Sequence, residues 1–226
     1  MVTYKFSAIE TQIYKIGCKM VSCKNSCLGI ALNLRKGIIP RCLIFETDGR
    51  KQNRGSVVVG INPGRSRADE QNFYVSTGQT YEQVVAYWKK QINKRRYYKW
   101  LEDLINQMDF SGPILWTELV KCESAVGGKI PPLQTFRICT KTYLSEELKS
   151  IPTNWPLIAV GREAYKALAY RYPNHIVVGV PHPTGSYGQF SKLFNKNKQL
   201  LSVLKPKFNE LWDGKSGKAI WLDTRK

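Results

Sequence analysis

Ser56-Val57-Val58-Val59-Gly60-Ile61-Asn62-Pro63-Gly64 opens as an uninterrupted apolar run and closes as a turn. Three consecutive valines suit an extended backbone buried on both faces, because β-branched side chains are stiff at χ1 and pack well on a pleated surface. The residues that follow end a strand for separate reasons: glycine admits unusual backbone angles, asparagine bonds locally and proline fixes φ. Ser56–Ile61 is therefore expected to be a buried strand with the Asn62 loop at its carboxyl end.

Outward from this strand, short apolar runs alternate with helical periodicity. Thr80–Ile92 places Val84, Val85, Tyr87 and Trp88 in a helical pattern, and Tyr97–Met108 continues with Trp100, Leu101, Leu104 and Ile105. Ile114–Val120, Leu157–Val160 and Ile176–Val180 read as further strands. Between and after them, Leu133–Lys149, Arg162–Arg171 and Phe190–Trp212 read as helices, the last up to a break at Pro206. This alternation predicts an α/β fold with a central parallel four-stranded sheet flanked by helices. No repeat or Gly/Ser linker interrupts it, so residues 1–226 are expected to form a single domain. Residues 1–55 are less regular and read as an N-terminal extension on that domain.

The chain has 226 residues, with 35 Lys and Arg against 17 Asp and Glu, a net charge of +18. That excludes an acidic scaffold and makes a polyanion the first partner to consider. Hydrophobic residues at 42% and aromatics at 12% exclude a disordered basic tail. No apolar run approaches the roughly 18–20 residues of a membrane span, and Met1–Lys19 lacks a continuous signal-peptide core. The expectation is a cytoplasmic monomer whose six cysteines, Cys18, Cys23, Cys27, Cys42, Cys122 and Cys139, are reduced and available to a metal. Basic runs at Lys89-Lys90, Lys94-Arg95-Arg96 and Lys192 to Lys207 interleave with Trp88, Tyr97, Tyr98, Trp100 and Phe194. They read either as solvated helix faces or as a surface that tracks phosphates.

Four segments fall at carboxyl ends of the expected strands, where open α/β sheets bind ligands: Gly60–Gly64, Thr117–Cys122, Gly161-Arg162 and Pro181–Gly185. The sheet topology predicts that they converge on one cleft.

The first of these resembles, letter for letter, the leading signature of the mismatch-specific and thymine-DNA glycosylase branch of the uracil-DNA glycosylase superfamily. His182-Pro183-Thr184 resembles the second signature, His-Pro-Ser/Thr. Val120-Lys121-Cys122, followed after sixteen residues by Cys139, resembles the iron–sulfur family 4 enzymes, as does Ala159-Val160-Gly161-Arg162. The resemblance spans roughly residues 18–190 and implies a uracil-DNA glycosylase-like fold and a monofunctional DNA glycosylase acting on a flipped nucleotide.

Such chemistry breaks an N-glycosidic bond as positive charge grows on the sugar and negative charge on the departing base. The resemblance implies that Asn62 orients a water against the anomeric carbon and that His182 donates to the leaving base. It implies that Phe73 stacks on the extruded base, and Tyr187, beside Gly185 and Ser186 in the loop after His182, is a candidate wedge for the vacated stack in the DNA. Asn62 also reads as a turn cap, His182 as a ring satisfying a loop carbonyl, Phe73 as core and Tyr187 as an ordinary exposed tyrosine. Of the cysteines, Cys23, Cys27, Cys122 and Cys139 are implied to hold a 4Fe–4S cluster, with zinc the alternative. Three residues separate Cys23 from Cys27 where the family typically has two, which leaves Cys18 as a possible substitute; Cys42 reads as core.

Two departures from the uracil-specific pattern bear on substrate. Gly64 replaces the tyrosine that in family 1 enzymes crowds carbon 5 of the base. Glu118 stands where family 4 enzymes carry an asparagine that reads the uracil edge. Ionised Glu118 only accepts hydrogen bonds, which suits the exocyclic amine of cytosine. Protonated by burial, it donates to the 4-oxygen of uracil instead; paired with Lys121 or Arg162, it never meets the base. The expected target is a 5-modified cytosine, hydroxymethylated or glucosylated as in bacteriophage DNA, which suggests anti-phage defence. The alternatives are a uracil-DNA glycosylase of base-excision repair, a non-catalytic DNA-binding module, and a zinc-stabilised RNA-binding protein outside the family.

Overall fold

A computed structural model describes residues 6–127, 129–196 and 219–222. The chain begins with helix α1 (Phe6–Val21), strands β1 (Ile44–Glu46) and β2 (Ser56–Gly60), and helices α2 (Ala68–Thr77), α3 (Tyr81–Gln91) and α4 (Arg96–Gln107). It continues through β3 (Ile114–Glu118), α5 (Leu133–Cys139), α6 (Ser145–Lys149), β4 (Leu157–Val160), α7 (Arg162–Arg171), β5 (Val177–Val180), α8 (Gln189–Lys196) and β6 (Ala219–Trp221). The fold is α/β, with strand order β1-β3-β2-β4-β5-β6. From β2 through β4 and β5 to β6 the strands are parallel, with Val58 opposite Ile158, Ile158 opposite Val178 and Val178 opposite Ile220.

Among the described residues the sheet has six strands rather than the expected four. The two extra strands are its edges, β1 and β6, each three residues long and too short to carry a period of two. The residues of β2, β4 and β5 are buried throughout, as strands covered on both faces require. Residues 1–55, which read as less regular, include the 16-residue α1, which buries Ile9, Ile13 and Met20 on one side. Its polar residues on the other turns mask that stripe in the sequence. The helix expected over 133–149 is continuous but passes through a π turn at Thr140–Leu144 between α5 and α6. The predicted helix beyond Lys196, with its break at Pro206, lies outside the described residues.

By internal packing the chain forms two compact units built from interleaved segments. The first comprises Met1–Phe45, Gly60–Gln91 and Trp116–Ile151. Its core includes the α1 stripe, Val84 and Trp88 of α3, and Tyr81, whose hydroxyl donates to the Leu43 carbonyl at 2.9 Å. The second comprises Glu46–Val59, Ile92–Leu115 and Pro152–Lys226. Its buried residues include the valines of β2 and β5, Leu101, Leu104 and Ile105 of α4, Leu168 of α7 and the fully buried Trp155. Full burial of each such aliphatic side chain contributes roughly 1.5–3 kcal/mol.

Candidate active site

In the first unit, the chain leaves β2 at Gly60 and its carbonyls are taken up at once: Leu119 N–H donates to Gly60 at 3.0 Å and Val120 N–H to Ile61 at 2.9 Å. Next comes Asn62, whose Nδ2 donates to the Pro63 carbonyl and to Ser124 Oγ, both at 3.1 Å. Both amide donors are thereby used, and Oδ1 is left to accept from a ligand or water. The rest of the loop is fastened from below by charge. Arg41, 1% exposed, pairs through Nε with Glu70 at 2.8 Å and through Nη2 with Glu123 at 2.8 Å. The same Nη2 donates to the Gly64 carbonyl, and Glu123 Oε2 accepts from the Ser66 N–H at 2.7 Å. Charges this deeply buried are sustained only when hydrogen bonds satisfy them, and here the loop backbone supplies part of that satisfaction.

Glu118 ends β3 in the same unit. Its Oε2 is buried and, among the described residues, has no hydrogen-bond partner. Burial raises its pKa to about 8, outweighing the opposing pull of Lys121 and Arg41. Burial therefore favours the protonated carboxyl at neutral pH, the second of the forms expected from the sequence, over the ionised one. Pairing with Lys121 is corrected: that buried ammonium binds Glu147 at 2.8 Å and the Glu118 backbone carbonyl at 2.8 Å. Arg162, in the second unit, lies over the Trp221 ring at 5.8 Å. The carboxyl rests on Gly60, where a Cβ would stand 2.1 Å from Oε2, so only glycine admits this arrangement. At Gly64, by contrast, a Cβ would meet nothing within 4 Å. Phe73 lies on α2, half-buried, with its ring 5.7 Å from Tyr74 and 5.4 Å from Tyr87. It belongs to an aromatic cluster and keeps part of its surface exposed.

Cys23, Cys27, Cys122 and Cys139 line one cavity of the first unit, together with Ile30, Pro40, Ile138 and Tyr143. Cys18 is not among its lining residues, and Cys42 is buried elsewhere in the unit. Burial pushes the Cys122 thiol up to about 12 and the Cys139 thiol up to about 11. Among the described residues, no three His, Cys, Asp or Glu side chains converge as ligands of a single metal ion. The four thiols that line the cavity are of the soft donor type that iron–sulfur clusters and zinc take.

The second unit carries His182 on the loop after β5. Its Nδ1 accepts from the Gly185 N–H at 3.0 Å and the Thr184 N–H at 3.3 Å. Two donors on Nδ1 place the ring proton on Nε2, leaving an N–H to give. Much of the residue faces solvent, yet the protein packed around the ring lowers its pKa and favours the neutral form. The backbone donors require an acceptor nitrogen, which supports that direction. Gly185 matters for close approach, since a Cβ there would stand 3.2 Å from Nδ1. The Tyr97 ring of α4 packs against His182 at 5.3 Å. Ser186 Oγ accepts from the Phe190 N–H at 3.1 Å and caps α8, while Tyr187 is fully exposed with a left-handed φ of 49°. Arg96 lies over Trp100 at 4.0 Å, and Trp100 stacks on Phe190 within 5° of parallel. Lys94, Arg96, Lys99 and Lys192 are exposed around this ladder. The Phe194 side chain and the basic run from Lys198 to Lys207 lie outside the described residues.

The sequence reading passed over Arg41, Glu70, Glu123 and Ser124. Three are charges in the interior, and only Glu123 and Ser124, which directly follow the Thr117–Cys122 segment, offered a signal.

Compared with known families, residues 48–206 match the uracil DNA glycosylase superfamily. A search of curated proteins finds no match. The family match covers more than half of the chain, which therefore belongs to the uracil-DNA glycosylase superfamily, whose members are typically DNA glycosylases. Among the described residues, no helix is long and apolar enough to cross a membrane.

Proposed function

We propose that this protein is a monofunctional DNA glycosylase that removes a flipped pyrimidine carrying a substituent at carbon 5, foremost a hydroxymethylated or glucosylated cytosine of the kind found in bacteriophage DNA. The open space beside Gly64 is the observation that carries the substrate reading. Nothing there excludes a group on carbon 5, and such a group separates the target from ordinary cytosine. A glycosylase with that selectivity serves anti-phage defence.

In this reading Asn62 Oδ1 holds the attacking water, which suffices when bond breaking runs ahead of attack. Neutral His182 gives its Nε2–H to the oxygen on which negative charge grows. Glu118 reads the base edge as a carboxylic acid, with one donor and one acceptor. Its hydroxyl donates to N3 of cytosine while its carbonyl accepts from the exocyclic amine, a better fit than a carboxylate facing the N3 lone pair. Phe73 offers a ring face to the base, and Tyr187 fills the gap left in the duplex. Cys23, Cys27, Cys122 and Cys139 hold a 4Fe–4S cluster of the family 4 type, which supplies structural cross-linking, since hydrolysis needs no electron transfer.

The protonated carboxyl also favours a second reading. With its proton turned to the other oxygen it donates to O4 of uracil and accepts from N3–H, so uracil or a 5-substituted uracil fits the same group. Base release should be measured across DNAs carrying uracil, thymine mismatches, and methylated, hydroxymethylated and glucosylated cytosine. Fastest release from a 5-modified cytosine supports the first reading. Efficient release of uracil, with every modified cytosine untouched, replaces it with the second.

A further inference from the structure

We infer that Ser124 is a positioning residue for the water site of Asn62, and that the segment directly after Cys122 is the clamp that holds the Asn62 loop in its working orientation. The inference rests on the reading of Asn62 as the water-holding residue. It follows from counting protons. The Ser124 hydroxyl has one hydrogen, and that hydrogen goes to the Lys129 carbonyl at 2.5 Å. Toward Asn62 the Ser124 oxygen can therefore only accept. The second neighbour of the amide, the Pro63 carbonyl, also only accepts. Were the amide turned over, Oδ1 would face two oxygens with no proton between them, and Nδ2 would occupy the place where a water must be held. Ser124 thus selects one of the two amide orientations, and it is the one with the carbonyl free.

The neighbouring residue acts on the loop backbone. Glu123 binds the Ser66 N–H and Arg41, and Arg41 reaches the Gly64 carbonyl. Glu123 and Ser124 are themselves pinned: Ala31 N–H donates to the Glu123 carbonyl at 2.8 Å, and Ser124 forms an antiparallel bridge with Ile30. Two consecutive side chains from one anchored segment thereby set both the path of the loop and the direction of its amide. The segment adjoins Cys122, so the cysteine cavity and the water site share one stretch of backbone.

Ser124→Ala deletes the acceptor while leaving the packing of a half-buried site nearly intact. The expected result is a fall of about 10- to 100-fold in the single-turnover rate of base release, the scale of a misplaced reacting group. DNA affinity and thermal midpoint should stay within error of wild type. Ser124→Thr, which retains the hydroxyl, should restore most of the rate. In an Asn62→Ala background, Ser124→Ala should cause no further loss, because a residue acting only through Asn62 has nothing left to position. A second readout does not depend on activity: the Asn62 Nδ2 proton resonances should shift and exchange faster with water in Ser124→Ala. Full rate in Ser124→Ala with Asn62→Ala inactive overturns the clamp and leaves the reading of Asn62 standing. Full rate in Asn62→Ala overturns that reading itself, and unshifted Asn62 resonances overturn the clamp whatever the rates.

Discussion

The loops that carry Asn62 and His182 are held by opposite means. Around Asn62 the fastening is remote in sequence and buried: Arg41, Glu70 and Glu123 come from three separate segments and meet beneath residues 64–66. Around His182 it is local, since the ring is oriented by the backbone N–H groups of residues two and three positions on. The first arrangement places a group through the folding of a whole unit, and the second builds a donor out of a tight turn. Damage to the first should therefore appear in stability as well as activity, and damage to the second in activity alone.

The largest effect is expected at the buried charges. Arg41→Met leaves Glu70 and Glu123 without their cation, and breaking such a buried group costs about 3–5 kcal/mol. Urea denaturation monitored by tryptophan fluorescence measures it; an unchanged midpoint would erase the contrast between the loops. Next is His182→Ala, which on the proposed reading removes the donor to the leaving base and should lower the rate of base release by about 10²- to 10³-fold. Its unfolding midpoint should match wild type, and a large shift would mean that this loop too is part of the scaffold.

The smallest effect separates the loops by pH. Burial raises the folded pKa of Glu118 above the ordinary carboxylate value, to about 8. The proton is bound more tightly in the folded state, so this contribution to stability is fully present below the ordinary value and is lost as pH rises through about 8. Base reading by the acid should fade over the same alkaline range. His182 has the opposite sign: its folded pKa lies below the ordinary 6.5. Its contribution is present above 6.5 and is lost as pH falls through the folded value. A bell-shaped rate profile is expected, and Glu118→Gln, which keeps one donor and one acceptor at every pH, should abolish its alkaline limb alone. An alkaline limb that survives in Glu118→Gln would remove Glu118 from the base edge.

The strands β2, β4 and β5 and the loops that follow them were legible because apolar β-branched runs ending in Gly, Pro or Asn leave few other solutions; β3 was legible as an apolar run, but with no such stop signal it was expected to reach Val120 and ends at Glu118. β1 and β6 were not, being three residues each. Asn62, His182 and the four cysteines of the cavity stood out by motif and spacing. What holds them did not: Arg41 reads in sequence as one cation among 35, and only its burial against Glu70 and Glu123 separates it from the rest. Protonation of Glu118 stood among its readings, but the burial that favours it and the commitment of Lys121 to Glu147 were not legible in the sequence.

The most direct measurement incubates excess wild-type protein with duplex and single-stranded DNA containing glucosylated or hydroxymethylated cytosine and identifies the products by mass spectrometry. The account predicts free modified cytosine and an abasic, unbroken strand, with neither product formed by Asn62→Ala. No free base from either DNA, or equal release by Asn62→Ala, would contradict it.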